Sequence, residues 1–299
     1  MSPTASPTTE PTPTASPTID PPSAPPNGIV VGGDRPVIVY LPVDHDPAVP
    51  APLLIVLHGY TASGALVDEF FGLRRLAADN GVLYAFPDGS TDSQGVRFWN
   101  ASLACCDFER SGAEDAAYLA GLVEETGQHV AVDDSRIYFA GHSNGGFMSY
   151  RMACDHADLV AAIVSLAGST PADAECRPSE PVAVLHVHGT ADRVVPFEGR
   201  GTLGAGLFGA RRTVEAWAGY NRCALEPSES VARLDLDRRV DGSDGEPADT
   251  SVEVYADGCE PGGRVELWTI EDGGHVPRLT DEFGEAVIEF LLANPKPGR

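Results

Sequence analysis

A chain of 299 residues, 42% hydrophobic and 21% charged, has a globular composition and is long enough to bury a full core. Its formal net charge of -24 excludes nucleic acid and anionic membrane surfaces as partners, because both repel so negative a surface. No stretch approaches the roughly 18 apolar residues of a membrane-spanning helix.

Residues 1–28, MSPTASPTTEPTPTASPTIDPPSAPPNG, are dominated by Pro, Thr and Ser. They cannot bury enough apolar surface to fold, and their prolines favour an extended chain. The expectation is a disordered leader or stalk over 1–28 and one folded domain over 29–299. No basic and then apolar signal-like run precedes the leader, so Met1 does not read as the start of a signal peptide. A tether between a lipoprotein-like anchor and a secreted domain is the expected use of such a stalk.

RPVIVYLP and APLLIVLHG then read as strands, the second apolar enough for burial on both faces. VDEFFGLRRLAADNG has helical spacing and a glycine stop. VLYAFPDG is a short strand running into a turn. AEDAAYLAGLVEETGQHV is a helix with acidic residues in its first turn, which suits the helix dipole. RIYFAG (strand), GGFMSYRMACDHA (helix), LVAAIVSLAG (strand) and EPVAVLHVHG (strand) follow. Then come GARRTVEAWAGYNRC (helix), SVEVYADG and RVELWTIEDGG (strands) and DEFGEAVIEFLLANP (helix). Between Leu225 and Thr250 an acidic, turn-rich excursion interrupts the pattern, without the spacing of a calcium loop. Such alternation implies parallel strands with right-handed crossovers, an α/β architecture with helices on both faces of a doubly wound sheet.

Gly141-His142-Ser143-Asn144-Gly145 sits between a predicted strand and a predicted helix. In that context G-x-S-x-G means a strained turn presenting a nucleophilic Ser, here Ser143. Such a Ser needs a base and an orienting acid, in the chain order nucleophile, acid, His. His275, in the glycine-rich loop after the last predicted strand, is the expected base. Asp192, just past the end of a strand, is the expected acid, with Glu198 as the fallback. Asp155, Asp158 and Asp173 lie in helix-end or variable loops. His186-x-His188 could ligate a metal, but no third ligand is evident, and core and turn roles are expected. His58 and His142 read as turn and packing residues, and His156 as a surface residue. An oxyanion needs two backbone donors, expected from the amides of Tyr60 and Asn144.

Six cysteines, an even number beside a stalk-like leader, predict three disulfides and an oxidising compartment. Cys223 and Cys259 flank one segment and are the expected pair. The other four, Cys105, Cys106, Cys154 and Cys176, leave the pairing open, except that the adjacent Cys105 and Cys106 are expected not to join each other.

With LHGYTASG, FPDGS, FWNAS, GHSNGGFMSYRMAC, HVHGTADRVVPFEG and ELWTIEDGGHVPR in place, the chain resembles the polyhydroxybutyrate depolymerase and feruloyl esterase group of α/β-hydrolases, from about Val30 to Leu292. The resemblance implies an α/β-hydrolase fold and a serine esterase using Ser143, Asp192 and His275, with no cofactor. Its implied partner is an ester substrate, a polyester, oligomer or plant cell-wall ester, met by a monomer. Trp99 matches a position near the acyl pocket, although a Trp between strands is commonly core; the Tyr60 ring is expected to line the cleft. Where many relatives carry a Trp and a Gly beside the catalytic His, this chain reads HVPR. A serine peptidase, and a binding protein on a hydrolase scaffold, are the remaining alternatives.

Overall fold

The computed structural model describes residues 27–170, 176–200, 207–239 and 249–298. Most of the leader, Asp173 and residues 240–248 of the acidic excursion lie outside the described residues.

In chain order the elements are β1 (Gly28–Val31), β2 (Val37–Tyr40), β3 (Ala51–Leu57), α1 (Gly64–Phe71), α2 (Leu73–Asp79) and β4 (Leu83–Ala85). A small hairpin, β5 (Ser90–Thr91) and β6 (Arg97–Phe98), precedes α3 (Asp115–His129), β7 (Val132–His142), α4 (Asn144–Asp155), β8 (Ala162–Leu166) and β9 (Ala183–Gly189). A second hairpin, β10 (Gly199–Arg200) and β11 (Leu207–Phe208), precedes α5 (Ala210–Tyr220). Strands β12 (Glu229–Leu234), β13 (Thr250–Tyr255) and β14 (Val265–Ile270) and helix α6 (Asp281–Ala293) complete the chain.

Ten strands form one sheet in the order β1-β2-β4-β3-β7-β8-β9-β14-β13-β12. From β4 to β14 every neighbouring pair is parallel; the flanking pairs are antiparallel. Burial explains the apolar runs: β3, β8 and β9 are buried at every position. The pleat sorts alternate residues to opposite faces. Leu53, Ile55 and Leu57 join one core with Leu119, Leu122, Phe147 and Trp217 of α3, α4 and α5. Leu54 and Val56 join the other with Val67, Phe71, Phe283 and Val287 of α1 and α6.

Two expectations change. The helix read from Val67 onward starts at Gly64 and is two helices, broken at Gly72, whose φ of 64° is left-handed and whose N–H closes on Asp68 O. Helical periodicity runs through the break because both helices bury the same side against one core. The acidic excursion also holds a strand, β12, paired antiparallel to β13 at the sheet edge.

Three disulfides are present, Cys223–Cys259, Cys154–Cys176 and Cys105–Cys106. The first pair matches the expectation. The third corrects it: the adjacent Cys105 and Cys106, expected not to join each other, are bonded, their Cα atoms 3.0 Å apart. Cys154 ends α4, so its bridge fastens the helix that follows Ser143 to the chain beyond β8.

Lys296, the sole lysine, is 4% exposed. Its ammonium donates to the carbonyls of Ala157 and Val160 and pairs with Glu180 at 3.2 Å, fixing the tail to the α4–β8 connection.

Removing the Cys154–Cys176 crosslink, which spans 22 residues, frees a loop worth about 3 kcal/mol in unfolded-chain entropy. A Cys154→Ser/Cys176→Ser variant should lose about that much in urea unfolding; an unchanged midpoint would show the bridge to be inert.

Candidate active site

Strand β7 ends at His142 and α4 begins at Asn144, leaving Ser143 alone at the turn with φ 52° and ψ -117°. A non-glycine residue there carries strain of about 1–3 kcal/mol. The turn is held by the Ser143 amide donating to Leu166 O of β8 at 2.8 Å and by Phe147 N donating to Ser143 O at 3.0 Å. The motif glycines are required by contact. A Cβ at Gly141 would sit 2.2 Å from Gly145 O, and one at Gly145 would sit 2.1 Å from Leu57 O. Helix α4 therefore starts with its backbone against β3 and β7.

Ser143 Oγ donates to His275 Nε2 at 2.9 Å, and His275 Nδ1 donates to Asp192 Oδ2 at 2.7 Å. The three residues predicted from sequence are thus brought together across 132 positions of chain. Topology explains it: β7, β8, β9 and β14 are successive parallel neighbours, so the loops leaving their C-terminal ends share one rim. The β9 and β14 loops interlock as well. Thr190 N donates to Ile270 O at 3.0 Å and Ala191 N to Gly273 O at 2.9 Å. A Cβ at Gly189 would strike Gly273 O at 2.1 Å.

Asp192 is buried, and burial by itself would raise its pKa. Hydrogen bonds from His188 and His275 outweigh that and hold the carboxyl well below its ordinary range, with help from the Val194 amide. Its Oδ1 accepts from the amides of Val194 and Val195 at 2.8 and 2.9 Å. Glu198, the fallback acid, is exposed. The part of His188 was missed in the sequence. The available signal was its place on the same strand face as His186, four residues before Asp192.

His142 does more than pack. Its Nε2–H donates to the carbonyl of His275 at 2.8 Å, and its ring lies 5.0 Å from the His275 ring and 5.1 Å from Phe70. Burial pushes its pKa down to about 4, so the ring is neutral at pH 7. His58 is a turn residue as expected: Nε2 accepts from Gly89 N at 2.9 Å, leaving Nδ1–H to donate to Gly59 O at 2.7 Å. Trp99 corrects the expectation of a pocket residue. It is fully buried, and its indole N–H donates to His58 O at 3.1 Å. Its backbone is paired at both groups by the Asn144 side chain, at 2.7 and 2.9 Å. Trp99 thus joins the Gly59–Tyr60 loop to the start of α4 from within the core.

That loop approaches the serine closely, since a Cβ at Gly59 would lie 3.4 Å from Ser143 Cβ. The Asn144 amide opens α4 and is among the donors that a helix leaves unmatched at its N-terminus. A cavity of about 350 Å³ opens over Ser143, lined by Tyr60, Leu66, Val67, Phe70, His142 and Val276. The Tyr60 ring is on its wall, braced edge-on by Phe108 at 5.3 Å.

The parallel sheet, the strand–Ser–helix turn and the interlocked loops bearing Asp192 and His275 define an α/β-hydrolase fold. Residues 29–254 match the family described as "Putative esterase", and the chain belongs to that family. It is similar to feruloyl esterase B of Piromyces equi, 30% identical over 250 residues covering 81% of this chain and 42% of that protein. It is also similar to "Putative esterase NocK" of Nocardia uniformis subsp. tsuyamanensis, 35% identical over 53% of this chain and 46% of that protein. The chain thus spans less than half the length of these two curated relatives. An acetyl xylan esterase from Aspergillus awamori shares the fold, with a TM-score of 0.62 at 15% identity, covering 88% of this chain and 97% of that one.

Two tests follow from this geometry. Gly145→Ala should lose about 1–3 kcal/mol in thermal or urea unfolding because the added methyl meets backbone; a neutral substitution would mean that α4 can lift away freely. The folded pKa of Asp192 lies below its unfolded value, near 3.9. Its stabilisation is therefore whole above about pH 4 and is lost as pH falls through the folded value. Asp192→Asn should flatten the acid limb of unfolding free energy against pH by up to about 1.36 kcal/mol per pH unit. Parallel limbs for the two proteins would refute it.

Proposed function

We propose that the chain is a serine esterase that hydrolyses carboxylic esters through Ser143, His275 and Asp192. The observation carrying this reading is the continuous hydrogen-bonded line from Ser143 Oγ through the His275 ring to a buried carboxylate, at the floor of an apolar cavity. Membership of an esterase family supports it.

In this mechanism Ser143 Oγ attacks the ester carbonyl carbon while its proton passes to His275 Nε2. The charge forming on the carbonyl oxygen is met by the Tyr60 and Asn144 amides, donors of a kind worth about 10²–10³ in rate each. Asp192 keeps the His275 proton on Nδ1 and stabilises the imidazolium. The C–O bond then breaks, and the leaving alkoxide takes the proton from His275 Nε2. Water, deprotonated by the same nitrogen, attacks the acyl-serine; the acid leaves and Ser143 regains its proton. No step uses a cofactor.

The proposed substrate is a feruloyl-type ester of a hydroxycinnamic acid. Similarity to a feruloyl esterase and the aromatic and aliphatic wall of Tyr60, Phe70, Leu66 and Val276 support a flat, apolar acyl group. A second reading, a polyhydroxyalkanoate polyester or its oligomers, is favoured by the exposed apolar rim, where Leu66, Val276 and Phe108 are 56%, 52% and 68% exposed. Action outside the cytoplasm is supported by the pairing of all six cysteines, which suits an oxidising compartment. We include in the proposal a stalk-like role for residues 1–28 and a tethered, monomeric enzyme. Among the described residues no helix is long and apolar enough to cross a membrane.

Ser143→Ala should lower hydrolysis of a short p-nitrophenyl ester by at least about 10³-fold and abolish labelling by a fluorophosphonate; wild-type turnover in that variant would remove Ser143 from the mechanism. Methyl ferulate should be cleaved faster than hydroxybutyrate oligomers of equal ester concentration. The reverse order would select the polyester reading.

A further inference from the structure

His186 and His188 point from one face of β9 into the core, both fully buried, and beyond the contact of His188 with Asp192 the mechanism above gives them no task. They are not isolated. Tyr150 Oη lies 2.8 Å from His186 Nδ1, His186 Nε2 lies 3.1 Å from His188 Nδ1, and His188 Nε2 lies 2.8 Å from Val195 O and 3.3 Å from Asp192 Oδ2. With one proton on each ring, a single arrangement satisfies every contact. His188 Nε2 faces only acceptors, a carbonyl and a carboxylate, so it carries the proton. Its Nδ1 is then an acceptor, which requires the proton of His186 to be on Nε2. His186 Nδ1 is in turn an acceptor, so the Tyr150 hydroxyl donates. Burial favours the uncharged ring, pushing His186 well below its ordinary pKa, and likewise holds the Tyr150 hydroxyl protonated.

The donors therefore run in one direction, Tyr150 to His186 to His188, whose Nε2–H is bonded to Val195 O and faces Asp192 Oδ2 3.3 Å away. Aligned hydrogen bonds of this kind polarise one another in a low-dielectric interior. Tyr150 stands on α4, the helix whose first turn follows Ser143. The chain of contacts is thus closed: Ser143, His275, Asp192, His188, His186, Tyr150 and back along α4 to Ser143.

We propose that Tyr150, His186 and His188 are positioning residues, a buried donor relay that keeps the Asp192 carboxylate and the Val195 turn aimed at His275 and in register with the helix that follows Ser143. The inference rests on the esterase reading of Ser143, His275 and Asp192. None of the three relay residues lines the cavity over Ser143. His188 Nε2–H, bonded to Val195 O at 2.8 Å, stands 3.3 Å from the oxygen that receives His275 Nδ1–H, so its loss frees the Val195 turn and that side of the carboxylate and relaxes the tautomer of His275. The effect falls on the chemical step and leaves substrate binding unchanged.

The experiment compares wild type, His188→Phe, His188→Gln and Tyr150→Phe on a p-nitrophenyl ester and by rate of fluorophosphonate labelling, with thermal unfolding measured in parallel. His188→Phe keeps the ring shape and removes the donor; kcat and labelling rate should both fall about 10–100-fold, the range typical of lost support to an active group, with KM within about twofold. His188→Gln, whose amide can donate toward Asp192, should recover most of that loss. Tyr150→Phe should lower kcat about threefold. In ¹⁵N-histidine spectra of the wild type, His186 and His188 should both be the Nε2–H tautomer. Wild-type kcat in His188→Phe, equal losses in the Phe and Gln variants, or an Nδ1–H tautomer at His188 would each overturn the relay. If His188→Phe does not fold, Tyr150→Phe and the spectra decide. Should the wild type neither cleave esters nor react with the probe, the esterase reading itself fails; normal wild-type activity with indifferent variants sinks the relay alone.

Discussion

The structure depends on one close approach, the backbone of α4 against the backbone of β3 and β7. Gly141 and Gly145 let the carbonyl of one segment sit where any side chain would place a carbon. Because the helix starts so near the sheet, Ser143 must turn through a positive φ, and its hydroxyl leaves the sheet toward the rim where the loops of β9 and β14 meet. The strain is local. The restraint is spread over a helix, three strands and the bridge from Cys154 to Cys176. A rigid turn of this kind has lost its alternatives before any substrate arrives, which is what preorganised chemistry requires.

Around that turn, the charged and amide groups that shape the site are buried with partners, while Ser165 Oγ is buried without one. Asp192 receives two backbone amides and the His275 imidazole, with His188 Nε2 3.3 Å away, and the Asn144 side chain satisfies both backbone groups of Trp99. A buried carboxylate left with fewer donors would take up a proton and lose its use as an orienting charge. The surface carries its excess of negative charge away from this interior, where hydrogen bonding and burial, rather than net charge, set the protonation of each group.

Much of this was legible in the sequence. Strand–helix alternation exposed the parallel sheet, and G-x-S-x-G between a strand and a helix marked the turn, because glycine is needed there for contact reasons that leave a residue-level trace. Asp192 and His275 followed from their places after strands. What stayed hidden depends on the third dimension. Trp99 is an aromatic beside a motif, and only the fold decides whether its ring faces a cavity or a core. Gly72 sits within unbroken helical periodicity, so its left-handed φ had no pattern to reveal it. The bond between Cys105 and Cys106 joins chain neighbours, a pairing that sequence adjacency argues against. His186 and His188 read as filler because their partner Tyr150 is 36 residues away from His186.

The burial of Lys296 has a practical corollary for handling the protein. Its ammonium is enclosed by carbonyls and an acidic neighbour, so amine-directed reagents meet no accessible lysine side chain. Attachment chemistry therefore has to be directed at other groups, such as the 44 Asp and Glu residues of the sequence.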